Sequence, residues 1–242
     1  PDSSLTKILS SRDAILRKIA DVRKEQSSYG KADLYSRIWE AKPQPANEVN
    51  GESIHTFSVM QFNTLAEGLS SGETVRIPFP STSGGTKRRP DRGVQYGGFS
   101  CIPYPNVSLD FSSRRWRLME VLLGSDGEAS FDIVALEEVD RYYGFFAPIM
   151  DAFGYDGVFV PKRKSPCVRM GWYSDGCCIF WKRDLFELVA QRRGGYTVGS
   201  QVYIAATLRH RESGKILLVA ATHLKAQCNE QNEKVRCLEI QE

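Results

Sequence analysis

The sequence lacks any apolar run near the roughly 20 residues that a membrane-spanning helix requires. It also lacks a Cys-x-x-Cys pair. No His-rich partner stands at zinc spacing from its six cysteines, Cys101, Cys167, Cys177, Cys178, Cys228 and Cys237. These absences set aside a zinc-ribbon framework and a disulfide scaffold, and the thiols read as free in a reducing compartment. The expected location is therefore cytoplasmic. The chain opens at Pro1 without a signal-peptide pattern, and a mitochondrial location stays open because processing removes a leader. A strong charge of one sign is missing as well. The net charge of +3 permits a polyanionic substrate without the clustered excess of a nucleic-acid coat. Internal repeats are absent. What remains is a chain of 242 residues, 41% hydrophobic and 25% charged, long enough to bury a core and outside the disordered range.

Leu5, Ile8, Leu9, Ile15, Leu16, Ile19 and Val22 fall at helical spacing over residues 4–27, with mixed charges on the other face. This amphipathic helix is expected to pack on the domain surface, and with the polar linker after it forms an N-terminal unit over residues 1–50. The domain proper is expected over residues 51–242. Strands are expected at 57–62, 131–137, 156–160, 177–182, 185–191, 201–209 and 215–222. Residues 70–113 form a Pro/Gly-rich insertion with Lys87, Arg88, Arg89 and Arg92, which reads as a solvated basic loop. Ser113 is expected to cap a helix to Leu123 with Trp116, Met119 and Leu122 inward. A helix over Tyr142–Phe153 starts late or kinks at Pro148 and stops at Gly154. Asp184 and Ser213-Gly214 mark hairpin turns. The order implies an α/β fold, a mixed sheet with helices on one face.

Four segments stand at the C-terminal ends of strands or in the loops leaving them, where layered α/β folds build sites. Asn63 ends the first core strand. Glu137 and Glu138 end a buried apolar run, with Asp140 behind them. Strand alternation sends Glu137 and Glu138 to opposite faces, and one carboxylate suffices for a magnesium ion that keeps several waters. Lys162 leaves a strand beside Pro161, and Asp175-Gly176 opens the next. His223 ends an apolar strand, with Lys225 two residues on. Taken singly, these are a turn Asn, solvated acids, ordinary loop residues and a packed His.

In this order, Asn63, the Leu-x-Glu-Val-Asp of residues 136–140 and the Thr-His-Leu of residues 222–224 resemble the first half of the endonuclease/exonuclease/phosphatase superfamily. PKRKSPC at 161–167, SDGC at 174–177 and THLKA at 222–226 are similar to its nocturnin-like branch. The resemblance covers about residues 54–242. It implies an α/β/β/α sandwich of the deoxyribonuclease-I-like type, and magnesium, with manganese as an alternative. By resemblance, Glu138 and Asn63 are the metal residues, and Asn63, Glu138 and His223 are catalytic. Lys162, Lys225 and Asp175 form the substrate-binding set. The implied substrate carries adenosine phosphate: NADP(H), losing its 2′-phosphate, or poly(A) RNA, trimmed from its 3′ end. One departure is Gln227, which stands where the branch has a phosphate-binding Arg.

The Gly-Asp-x-Asn and Ser-Asp-His segments of the family's second half are not found in these residues. Residues 229–242 read as a helix still in progress. The expectation is an incomplete sandwich, one sheet with its outer helices and an uncovered, aggregation-prone inner face. The reading of another class is a non-catalytic binding module.

Overall fold

The computed structural model describes residues 3–9, 11–27, 48–49, 52–53, 55–70, 108–124, 131–169, 172–226 and 228–242. Most of the 70–113 insertion, its basic cluster and Gln227 lie outside the described residues. The elements run α1 (Ser3–Leu9), α2 (Arg12–Ser27), β1 (Glu48–Val49), β2 (Glu52–Ser53), β3 (Val59–Asn63), α3 (Glu67–Ser70), α4 (Phe111–Leu123) and β4 (Ile133–Val139). A π-helical turn (Tyr142–Phe146) leads into α5 (Ala147–Ala152). Then come β5 (Tyr155–Pro161), α6 (Pro166–Arg169), β6 (Gly176–Lys182), β7 (Phe186–Gly195), β8 (Val202–His210), β9 (Ile216–Thr222) and α7 (Glu230–Gln241).

The strands form two larger sheets rather than one. The first has the order β3-β4-β6-β5, with β3 parallel to β4 and the other pairs antiparallel. The second is the antiparallel meander β7-β8-β9. Alternation along β8 explains how they meet. Val202, Ile204, Ala206 and Leu208 are all buried, and they pack with Ile133, Ala135, Val158, Val160, Cys177, Ile179 and Trp181 of the first sheet. The expected single sheet with an open inner face is thus corrected. The three late strands fold back over the first sheet because every second residue of β8 is apolar, and that inner face is covered.

The other face of the first sheet carries the helices. Met60, Val134, Leu136, Cys178 and Phe180 point into a second core with Trp116, Met119, Leu122, Phe145, Phe146, Ile149 and Met150. Neighbouring Cys177 and Cys178 therefore serve opposite cores, as strand alternation requires. The described cysteines are free. Among the described residues, no helix is long and apolar enough to cross a membrane.

One helix start differs from expectation. Asp110, not Ser113, caps α4, its side chain accepting from Ser112 N at 3.4 Å. Pro148 stands in the first turn of α5, where its missing N–H costs nothing, so this helix starts late, as expected, directly after the π-helical turn. The N-terminal helical pattern breaks into α1 and α2. Ile15, Ile19 and Val22 of α2 are almost fully buried in the helix-side core, and Arg23 reaches Glu120 of α4 at 3.6 Å. Ile19→Asp is expected to lower stability by about 3 kcal/mol or more, because it puts an unpaired carboxylate where α2 meets α4. Chemical denaturation measures this, and a change under about 0.5 kcal/mol, the scale of a surface substitution, would show α2 to be a detachable arm.

Candidate active site

The site grows from the parallel pair β3 and β4, whose register puts Asn63 opposite Glu137. Beyond that pair the chain is locked by Thr64. Its backbone N donates to Glu137 O at 2.9 Å. Its hydroxyl donates to Glu137 O at 3.0 Å and Glu138 O at 3.1 Å. Leu65 takes a left-handed φ of 54° and donates its N–H to Asn63 Oδ1 at 2.9 Å. Arg114 of α4 holds the turn from outside, donating to the carbonyls of Thr64 and Leu65, each at 2.6 Å. Burial pulls the Arg114 guanidinium below its ordinary range, against the pull of Asp140, Glu67 and Glu138. Sequence reasoning missed Arg114, since helical spacing says nothing of a partner 50 residues earlier.

The end of β4 departs from simple alternation. Val134 and Leu136 face the helices, while Ile133 and Ala135 face the second sheet. Strict alternation would send Glu138 toward the helices. Instead Glu138 has a φ of 55° and the register shifts between Leu136 and Val139. That local inversion turns Glu138 to the second sheet's side, where its Oε1 lies 3.5 Å from His223 Nδ1 just past β9. The expectation that Glu137 and Glu138 face opposite ways is corrected by this left-handed residue. Glu137 is buried and accepts from Gln61 Nε2 at 2.5 Å. Burial, then the neighbouring Glu138 charge, push the Glu137 carboxyl up, and Gln61 works against them. Asp140 is also buried, which pushes its carboxyl up to about 6.

Lys162 and Asp175 form a pair within the same end of the sandwich. The Lys162 ammonium meets Asp175 Oδ2 at 2.6 Å, with side-chain exposures of 7% and 0%. Ser165 donates to the other Asp175 oxygen at 2.5 Å, and Lys162 N donates to Asp175 O at 2.8 Å. Gly176 follows because β5 passes directly beneath it; a Cβ there would stand 1.9 Å from Val160 O. The structure thus sets Lys162 against an internal carboxylate.

His223 is partly buried, and burial pulls its pKa below the ordinary value; the Lys162 charge acts the same way, and the Glu138 charge opposes both. The ring is therefore neutral at pH 7. Lys225 is held by its backbone. Its N–H donates to Glu239 Oε2 at 2.9 Å, and its carbonyl accepts from Arg236 Nη1 at 2.7 Å. Both partners lie on α7. Glu239 is a second residue that sequence reasoning missed, since a single acid in a polar helix gives no burial signal. The structure brings Glu138, His223, Lys162 and Asp175 together. Asn63 sits at the rim with its oxygen turned to Leu65.

The arrangement suits a hard cation. Glu138 Oε2 and His223 Nδ1 are buried atoms without a hydrogen-bond partner among the described residues. A buried carboxylate oxygen left in that state is costly unless it meets a cation. Glu138 could supply one carboxylate to such a divalent cation, and hard cations of this kind need only one or two beside water and phosphate oxygens.

No protein-family model matches the chain. It is 33% identical to mouse nocturnin over 174 residues, spanning 69% of this chain and 34% of that protein. It is 33% identical over 140 residues to the CCR4-Not complex 3′-5′-exoribonuclease subunit Ccr4 of Saccharomyces cerevisiae, spanning 56% of this chain and 13% of that one. The chain thus spans about a third or less of the length of these curated relatives. Its structure is similar to that of the human nocturnin catalytic domain with bound sulfate anion. The TM-score is 0.55 at 28% identity, covering 76% of this chain and 56% of that one. Two packed sheets with helices outside, carboxylate and histidine at their shared end, and these likenesses lead to one conclusion: the chain belongs to the endonuclease/exonuclease/phosphatase superfamily, as a nocturnin-like member.

Proposed function

We propose that this chain carries the metal-holding and phosphate-facing part of a divalent-metal-dependent phosphoester hydrolase. The observation that carries the reading is the left-handed backbone at Glu138, which brings its partly buried carboxylate to 3.5 Å from His223 and leaves Oε2 without a hydrogen-bond partner among the described residues. Non-glycine residues held in that region cost energy and cluster at functional sites. Glu138, with Asn63 at its side, holds the ion. The ion supplies charge neutralisation at the phosphoryl oxygens. His223, neutral and with one N–H, donates to a phosphoryl oxygen, and Lys225 and the Lys162–Asp175 pair set the surrounding potential. Catalysis of phosphoryl transfer rests mainly on such positioning and charge neutralisation.

For substrate, the reading is removal of the 2′-phosphate of NADP(H). The nocturnin likeness and a net charge of only +3, too small for a long basic track, favour a compact phosphate cluster. The second reading is 3′-5′ trimming of poly(A), favoured by the likeness to the yeast exoribonuclease subunit. The test uses the protein as its gene encodes it, with magnesium, measuring NAD(H) formed from NADP(H) beside shortening of an oligo(A) strand. Faster NADP(H) turnover is expected. Efficient oligo(A) trimming without NADP(H) turnover overturns the choice, and no turnover of either sends the chain to the binding-module class. Gln227→Arg is expected to raise NADP(H) turnover about tenfold, the scale of one charge-assisted phosphate contact.

A further inference from the structure

The chain has three histidines, and two of them meet at the end of the sandwich away from Glu138. His55 stands in the segment entering β3. His210 ends β8, and Glu212 lies in the turn from β8 to β9. One ligand atom from each of these three residues lies within 4.8 Å of the other two. The His55 and His210 ring centroids are 5.1 Å apart, and His55 Nδ1 lies 3.6 Å from Glu212 Oε2. This end is remote from the carboxylate site. Tyr203, near the start of β8, pairs with Thr222 beside His223, and His210 is seven residues further along. At the rise of an antiparallel strand that is about 24 Å.

The surroundings hold these side chains in place. Phe186 packs on His210 with centroids 5.5 Å apart, and Phe57 packs edge-on against Phe186 at 5.9 Å. The turn is closed by His210 N to Lys215 O at 2.9 Å and Gly214 N to His210 O at 2.8 Å. Gly214 has a φ of 67°, a conformation glycine adopts without strain. Arg211 N donates to Leu185 O at 2.8 Å, which ties the turn back to the start of β7. Nδ1 of His210 is taken by Ser213, with the hydroxyl oxygen at 2.8 Å and the backbone N at 3.2 Å. The free ring nitrogen is therefore Nε2. Ser213 N donates its N–H to Nδ1, so the turn fixes the orientation of the ring through that nitrogen.

We propose that His55, His210 and Glu212 form a zinc site that staples the two sheets together at this end. Two imidazoles and one carboxylate suit zinc rather than magnesium or calcium, which prefer oxygen ligands throughout. Three protein ligands would leave the fourth tetrahedral position to water. Ligand atoms around tetrahedral zinc stand about 3.3 Å apart, given bonds of about 2.0 Å. Glu212 is 79% exposed and free to swing that distance, while the two histidines are partly buried. His55 comes from the chain entering the first sheet, and His210 and Glu212 from the second, so the ion would cross-link the layers. Binding to the folded chain alone stabilises it by mass action. The ordinary alternative is a surface ion pair between His55 and Glu212 with no ion.

The experiment takes the full-length protein, strips it with a chelator and adds zinc chloride alone while the melting temperature is followed. Zinc is expected to raise Tm by several degrees in the wild type and in Glu138→Gln. The rise should vanish in His55→Gln and in Glu212→Gln, exposed or half-exposed positions that leave the Phe186–His210 packing untouched. Magnesium-dependent turnover should be unchanged in both of those variants. No rise in the wild type, an equal rise in all four proteins, or a rise lost only in Glu138→Gln would overturn the site.

Discussion

Glu138→Gln is expected to cut magnesium-dependent hydrolysis about a thousand-fold, the scale of removing one strong electrostatic stabiliser from a phosphoryl-transfer site. The fold should survive, because glutamine keeps the shape, and the melting temperature reports that directly. Glu138 owes its position to an unusual backbone conformation, not to side-chain hydrogen bonds: φ is 55° and Oε2 has no partner among the described residues. Glutamine therefore loses charge at the ion without breaking a network. Glu137→Gln should matter much less. Glu137 is buried against Gln61, and burial already raises its carboxyl toward the neutral form that glutamine imitates. Steady-state kcat with each variant separates the two. If Glu137→Gln proves the more damaging, Glu137 and not Glu138 holds the ion.

Asp175→Ala is expected to destabilise the fold by about 3–5 kcal/mol, the cost of stranding a buried charge by removing its partner. The Lys162 ammonium would be left with 7% exposure, and the Ser165 hydroxyl would lose its acceptor. Changing both partners tests the cause. Asp175→Ala with Lys162→Met should recover most of the loss, since replacing a buried ion pair by apolar groups is often neutral. Denaturant midpoints of the single and double variants give the coupling. If the double variant is no more stable than the single one, the stranded Lys162 charge is not what destabilises it.

Much of the fold was legible because burial writes a period into the sequence. The 131–137 apolar run became β4, and Trp116, Met119 and Leu122 turned inward on α4 as their spacing implied. Cys177 and Cys178 went to opposite cores for the same reason. The superfamily came instead from the resemblance of the motifs around Asn63, Glu138 and His223, residues that each stand at or near a strand end.

Periodicity could not decide what depends on a second layer. The alternation of β8 marked one buried face but not the sheet it would bury against, so the cover on the first sheet emerged only with the tertiary structure. Alternation failed at Glu138, where one left-handed residue reverses the side chain's face, and a local φ leaves no trace in apolar spacing. The partner of Lys162 was invisible for a related reason. Asp175 is 13 residues away, and only the pairing of β5 with β6 brings the ammonium and this carboxylate together. His55 and His210 carry the point furthest. No zinc spacing exists in the sequence, because one ring comes from the segment entering the first sheet and the other from the second sheet, and only the tertiary structure brings them together.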